Sequence, residues 1–119
     1  MSPRRRWPGR VYDVGDEPDY RFTLANERTF LAWIRTALGL VAASVALATL
    51  DVPLSRTEQG LGSVVLAGLG VACASSAWWR WARVERAMRT GQPLPSPWVA
   101  GVLSIVVCVV AVALALRLL

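Results

Sequence analysis

The feature that most constrains this chain is a set of three long apolar stretches with almost no charge. The first, 29–50, contains one charged residue, Arg35, whereas 61–79 and 98–116 contain none. A helix needs about 20 mostly apolar residues to cross the roughly 30 Å hydrocarbon core of a bilayer, and each stretch has that length. Three such helices use up most of the 119 residues. The sequence therefore predicts an all-α membrane protein with three transmembrane helices.

The chain divides into a polar tail and a membrane domain. The tail, 1–17, is polar and contains Pro and Gly, which is typical of a disordered segment. The membrane domain covers 18–119. Its spans are predicted at about 29–50, 61–79 and 98–117, with the second continuing as a polar helix to about residue 89.

The orientation of the chain follows from its basic residues, all 13 of which are arginines. Short loops rich in arginine stay on the cytoplasmic side of a membrane. Six arginines precede the first span and four lie between the second and third: Arg4, Arg5, Arg6, Arg10, Arg21 and Arg28, then Arg80, Arg83, Arg86 and Arg89. We therefore expect a cytoplasmic N-terminus and an external C-terminus. The net charge of +5 indicates topology and not nucleic-acid binding.

Two residues compete as the start of the first helix. Asp19, which follows Pro18, favours a short interfacial helix that runs into the span. Asn26 favours a later start, at which its side chain would cap the helix. Proline and glycine set the other boundaries, where the first span ends, the outer connector closes and the polar helix stops: Pro53, Gly60, and Gly91 with Pro93.

Three arginines are spaced seven residues apart at the entrance to the first span. Arg21, Arg28 and Arg35 fall on one face of a helix, because seven residues are close to two full turns. Hydrocarbon cannot hydrate a guanidinium, so an arginine at this depth needs water, a partner or an anion. An ionisable group within a membrane span indicates a functional site.

Small residues are dense in the first two spans, beginning with Gly39 and Ala42 in the first and Gly62 and Gly68 in the second. Helices in lipid associate where small residues let their backbones approach closely. Packing within one chain accounts for some of these residues, and the remainder predict a homo-oligomer. The third span is rich in Val, Leu and Ile and is predicted to face the lipid bilayer.

Several chemistries are excluded by residue type. The chain has no His, so it lacks imidazole acid–base pairs and His metal ligands. Cys73 and Cys108 lie alone in mid-span, where a free Cys behaves as a small apolar residue. The glycines lack the Lys-Ser/Thr of a phosphate-binding loop. We expect no enzyme activity, no catalytic residue, no metal and no cofactor.

The run NERTFLAWIR, from Asn26 to Arg35, resembles the signature of the YidH-type family of small bacterial membrane proteins. That family is defined by a domain of unknown function, which is shared with the membrane region of the eukaryotic vacuolar transporter chaperone. The chaperone complex makes and translocates polyphosphate. The resemblance covers about 19–119 and implies a three-helix domain of the bacterial plasma membrane that assembles around a pore with a basic inner mouth.

The resemblance also implies roles for particular residues in polyanion passage: Arg21, Glu27, Arg28, Arg83 and Arg117. Two departures limit the comparison. The soluble polymerase and phosphate-sensing domains have no counterpart in this sequence, and Arg35 occupies a position that need not be basic in the eukaryotic subunit.

We therefore expect a homo-oligomeric channel or transporter component for phosphate-like polyanions, with arginines around its cytoplasmic vestibule. Six arginines are the candidate anion ligands, supported by two neighbours: Arg21, Arg28, Arg35, Arg80, Arg83 and Arg117, with Asn26 and Glu27. The alternative is a structural module in which the arginines pair with acids of a partner or with anionic lipid. Arg28 and Arg80 lie near the interface, where a long side chain reaches the headgroups without any function.

Overall fold

The computed structural model describes residues 6–118, with side chains as far as residue 117. Residues 1–5 and 119, which include Arg4 and Arg5 of the predicted tail, lie outside it. The described chain forms four helices: α1 (Gly9–Tyr12), α2 (Tyr20–Thr49), α3 (Arg56–Thr90) and α4 (Trp98–Leu118). The last three are long and apolar enough to cross a membrane. The predicted all-helical, three-span chain is confirmed.

The start of α2 decides between the two predicted caps. Asp19 precedes the helix, and its carboxylate accepts a hydrogen bond from the backbone N–H of Arg21 at 2.9 Å. This is the arrangement of an N-cap, which satisfies a backbone donor that has no partner within the helix. The alternative start at Asn26 is wrong, because Asn26 lies inside α2 and is buried.

The connector between α2 and α3 is shorter than predicted. Ser55 accepts a hydrogen bond from the backbone of Glu58 at 3.1 Å, and the Glu58 side chain accepts one from the backbone of Ser55. This capping box starts α3 at Arg56, so Gly60 lies inside the helix and does not close the connector. The predicted stop at Gly91 is confirmed, since Gly91 adopts the left-handed conformation with φ of 69°.

Helices α2 and α3 form an antiparallel pair with small residues at their contact. Gly70 faces Ala37, and a Cβ atom on Gly70 would lie 3.2 Å from the Ala37 carbonyl oxygen. Further along the pair, the Ser44 hydroxyl donates to the Ser63 carbonyl at 2.6 Å. Small and hydroxyl side chains at these points let the two backbones approach closely, as expected for helices that associate in lipid.

Helix α4 packs less closely than the other two long helices. Among its described side chains none is buried. Two contacts hold it near its ends: the Trp79 and Trp98 rings lie 6.3 Å apart, and Arg117 forms an ion pair with Glu58 at 2.7 Å. Within a single chain, α4 therefore leaves clefts along its length that are open to lipid or to another subunit.

The N-terminal segment differs from the disordered tail that composition predicted. From residue 6 onward it contains α1 and lies against α3, with Val11 buried. Polar composition favours disorder when a segment has too little apolar surface to bury. Here Val11, which is buried, and Tyr12, whose ring packs on Trp81 of α3, supply that surface.

Candidate functional site at the polar end of the bundle

Helices α2 and α3 are longer than a bilayer is thick. Their 30 and 35 residues correspond to about 45 and 52 Å at 1.5 Å per residue, against roughly 30 Å of hydrocarbon. The extra helix length lies at the end of the molecule where α2 begins, α3 ends and α4 begins. We call this region the polar end. The polar end holds the charged residues described next.

A buried carboxylate joins α2 to α3 at the polar end. The Glu85 side chain is fully buried and accepts hydrogen bonds from the Thr23 hydroxyl at 2.8 Å and the Asn26 amide at 3.2 Å. The same amide donates to the Trp81 carbonyl at 3.1 Å. Buried charge is costly unless it is hydrogen-bonded, so these partners make the Glu85 position tolerable and fix the register of the two helices.

Arg89 links that carboxylate to the N-terminal segment. Its side chain is 2% exposed and lies 3.6 Å from Glu85, one turn earlier on α3. It donates hydrogen bonds to Glu17 at 3.3 and 3.5 Å, and its carbonyl accepts one from the backbone of Asp16 at 2.9 Å. One buried guanidinium is thereby shared between two carboxylates.

Residues 6–19, which we call the N-terminal strap, close over this network. Two guanidiniums lie near the Tyr12 ring, that of Arg6 at 4.5 Å and that of Arg89 at 4.7 Å from its centroid. Cations are attracted to the face of an aromatic ring. Hydrogen bonds from Arg6 and Arg89 lower the pKa of the Glu17 carboxyl below its ordinary value, so Glu17 is ionised at neutral pH.

The predicted arginine row is exposed on the face of α2 that is opposite to its buried residues. Arg21, Arg28 and Arg35 are all exposed, and they lie half a turn from the buried residues of the helix, which are Asn26, Ala37 and Ser44. Small residues are interleaved with them on the same face: Ala25, Ala32 and Gly39. Within the part of the chain that the structure describes, no carboxylate lies within 4 Å of these three guanidiniums.

Arg28 also lines a cleft between α2 and α4 of about 410 Å³, together with Thr36 and Ser104. Glu27, the predicted supporting acid, is exposed and forms no ion pair with a described residue. Asn26, the other supporting residue, turns toward Glu85 and away from the arginine row.

The structure does not bring the six predicted arginines together. Arg83 stacks on Trp79 and lines a separate groove that contains no α2 residue. Arg80 is half-exposed. Arg117 lies at the far end of the molecule, where it is paired with Glu58. Arg21, Arg28 and Arg35 share one face of α2, and the role of the six arginines as anion ligands stays a prediction.

Sequence reasoning missed the burial of Glu85 and Arg89. A signal was present, because Ala77, Trp81, Val84 and Met88 repeat at helical spacing through the polar part of α3. That stripe indicates a buried face. Glu85 lies beside this stripe, one turn after Trp81, and Arg89 lies one turn further on.

The class defined by these observations is a small multi-pass membrane protein with a polar, arginine-rich end. A family model described as a domain of unknown function (DUF202) matches residues 21–87, and the chain belongs to that family. An uncharacterized protein of Mycobacterium tuberculosis is 54% identical over 98 residues, which cover 81% of this chain and 80% of that protein. Inner membrane protein YidH of Escherichia coli is 43% identical over 107 residues, which cover 87% of this chain and 90% of that protein.

No solved structure matches the chain. The expected YidH-type family is confirmed by the family model and by the E. coli relative. The expected location in the bacterial plasma membrane is confirmed as well, by the inner-membrane relative and the three helices that can span a membrane.

Proposed function

We propose that the chain is one subunit of a homo-oligomer that passes phosphate-like anions, with Arg21, Arg28 and Arg35 along the pathway. The observation that carries this proposal is the exposure of Arg28 and Arg35, at the start of and within the apolar stretch 29–50, without a described carboxylate within 4 Å. If the interface lies near Arg28, Arg35 is about 10 Å deeper at 1.5 Å per residue. A guanidinium at that depth requires water, an acid or an anion.

Three acids of this chain already have partners and provide little support for the ion-pair explanation. Glu85 is held by Asn26 and Thr23, and Glu17 by Arg6 and Arg89. Glu58 is paired with Arg117 at the far end. These three carboxylates therefore have partners other than the row, whereas Glu27, next to Arg28, has no ion-pair partner among the described residues.

Arginine suits phosphate because its planar guanidinium donates two parallel hydrogen bonds and is always charged. Repeated around the axis of an oligomer, the row would form a positive funnel of the kind found in anion pores. The small residues between the arginines leave room for such an anion. Polyphosphate passage, which the family resemblance implied, is one instance of this chemistry.

The proposal includes an orientation, with the polar end and the N-terminus in the cytoplasm. Its support is the concentration of arginines at the polar end. Reporter fusions after Leu119 should report the outer side, and fusions near Thr90 the inner side. A cytoplasmic C-terminus would contradict this orientation.

The proposed function is tested by anion flux into vesicles that contain the purified protein. We expect Arg28→Ala and Arg35→Ala each to reduce the flux of inorganic phosphate or polyphosphate about ten-fold or more, since a charged hydrogen bond contributes about 1.5–3 kcal/mol. Arg35→Lys should restore part of the flux, because Lys lacks the bidentate geometry. Arg56→Ala, at the far end of α3, is the matched control.

A second function is favoured by the ion pairs that the structure contains, Arg89 with Glu17 and Arg117 with Glu58. In that case the row binds acids of a partner protein, and the chain is a structural module. Arg28→Ala and Arg35→Ala should then lower the stability of the assembly, because a partner acid is left unpaired. Normal flux with a destabilised assembly would favour this second function over the first.

A further inference from the structure

A basic groove lies at the polar end, between the last turns of α3 and the connector 92–97. Its volume is about 460 Å³. The α3 side contributes Arg83, Arg86 and Thr90, and the connector contributes Gln92 and two prolines. No residue of the arginine row lines it.

The groove carries a positive charge that its own lining does not neutralise. Arg83 and Arg86 are three residues apart on one face of α3, and the described lining contains no carboxylate. The acidic residue between them, Glu85, turns the other way and is fully buried against α2. The Thr90 hydroxyl already donates to the Arg86 carbonyl at 2.9 Å. The free donors are therefore the two guanidiniums and the Gln92 amide.

One guanidinium of the groove is held in place. The Arg83 guanidinium lies 4.7 Å from the centroid of the Trp79 ring, on which it stacks. Stacking on an indole orients the planar group and leaves its edge free to donate. A planar edge with two parallel donors is suited to the oxygens of a phosphate group.

The same tryptophan also borders an apolar cleft. The Trp79 and Trp98 rings pack edge to face at 6.3 Å and, with Ser75, Ser76 and Val99, line a cleft of about 300 Å³. Ser75 and Ser76 lie one turn before Trp79 on α3, toward the apolar span. Tryptophan is enriched at the level of lipid headgroups. The basic groove, which Arg83 lines, and the apolar cleft, which Trp79 lines, are therefore joined by the stack of these two residues, with the charge on the side away from the span.

We propose that this groove binds the phosphate of an acidic phospholipid, whose acyl chain enters the cleft between Trp79 and Trp98. The cleft selects a lipid over free phosphate, because a soluble anion has no apolar part to fill it. Arg83 is thereby assigned to a lipid site that is separate from the row on α2, and the proposal does not depend on anion passage.

The test is lipid binding by the purified protein, measured by native mass spectrometry. We expect dioleoylphosphatidylglycerol to bind at least ten-fold more tightly than dioleoylphosphatidylcholine. Arg83→Gln with Arg86→Gln should weaken phosphatidylglycerol binding by about twenty-fold, since an arginine near an anionic headgroup contributes about five-fold. Phosphatidylcholine binding should change less than two-fold.

The matched control replaces Arg10 and Arg56 with Gln, which removes the same charge from exposed positions outside the groove. This control should keep its phosphatidylglycerol affinity within two-fold. Equal losses in the two double variants would show that the attraction is diffuse, and would overturn the site. Binding of inorganic phosphate that depends on Arg83 and Arg86, with no preference for phosphatidylglycerol, would overturn the assignment to lipid. Thermal unfolding of each variant checks that it is folded.

Discussion

The Asn26 amide lies 3.2 Å from the Glu85 carboxylate, across the interface between α2 and α3. Both residues are buried, Glu85 completely. Because the amide donates and the carboxylate accepts, this contact orders the polar end in one register of the two helices. The contact also turns the arginine row outward, because the row lies on the face of α2 opposite to Asn26.

The contribution of this contact to stability can be tested by substituting Asn26. Asn26→Ala leaves the buried Glu85 carboxylate with one partner fewer, which should lower the free energy of unfolding by about 1–3 kcal/mol. Asn26→Asp keeps the size of the side chain but sets a second carboxylate against Glu85, so it should destabilise the protein further. Thermal unfolding in detergent measures both. Equal stability of Asn26→Ala and the unmodified protein would contradict the role of this contact.

Docking of the N-terminal strap should depend on pH. The pKa of Glu17 is lowered by its hydrogen bonds with Arg6 and Arg89. A group whose pKa is lower in the folded state stabilises that state above its unfolded pKa, and the contribution is lost as the pH falls through the folded value. We expect hydrogen exchange to show full protection of the Asp16 amide, which donates to Arg89, at neutral pH. Protection should fall only below the ordinary glutamate range of about 4.3.

Glu17→Gln should reduce the protection of the Asp16 amide at neutral pH, because Gln cannot form an ion pair with Arg89. Glu58→Gln is the matched control at the far end of the molecule, and it should leave the strap protected. If Glu17→Gln left the protection of the Asp16 amide unchanged at every pH, the strap would be held by its aromatic contacts alone.

Gly70 and Gly68 lie on opposite faces of α3. Substituting each of them distinguishes packing within one chain from contact between chains. At Gly70 a Cβ atom would lie 2.8 Å from a Val41 methyl carbon and 3.2 Å from the Ala37 carbonyl, whereas at Gly68 it would meet nothing within 4 Å. Gly70→Leu should force α2 and α3 apart, at a cost of about 1–3 kcal/mol or more. Gly68→Leu should leave the single chain folded.

The same pair tests the proposed oligomer. If the face of α3 that carries Gly68 contacts a second copy, Gly68→Leu should shift the mass of the extracted protein toward the monomer. A monomeric mass for the unmodified protein would contradict the oligomer and the pathway with it.

The helices were predictable from the sequence because their determinants are local. Apolar length gave the three spans, and Gly91 gave the end of α3. The Ser55–Glu58 capping box was also local but was overlooked beside Gly60, which placed the connector incorrectly. Boundaries that depend on a single side-chain hydrogen bond are the least secure part of such a prediction.

The candidate site was less predictable because its contacts join residues far apart in the chain. Thr23 and Asn26 meet Glu85 across about 60 residues, and Glu17 meets Arg89 across 72. The seven-residue spacing of Arg21, Arg28 and Arg35 correctly placed them on one face, since it depends only on helix geometry. The positions of Arg83 and Arg117 depend on how α3 and α4 pack, which spacing alone does not determine.

The central claim is that the arginine face of α2 lines a water-filled pathway, and neighbouring cysteine substitutions test it directly. Gly39 follows Arg35 by one turn on that face, and Leu38 lies at nearly the same depth but about 100° away around the helix. Both are exposed in the single chain. The measurement is the rate at which a membrane-impermeant, anionic methanethiosulfonate labels Gly39→Cys and Leu38→Cys in open membranes, after Cys73 and Cys108 are replaced by Ala. We expect rapid labelling of Gly39→Cys, slowed by added inorganic phosphate, and no labelling of Leu38→Cys. Protection of both positions from the reagent would contradict it.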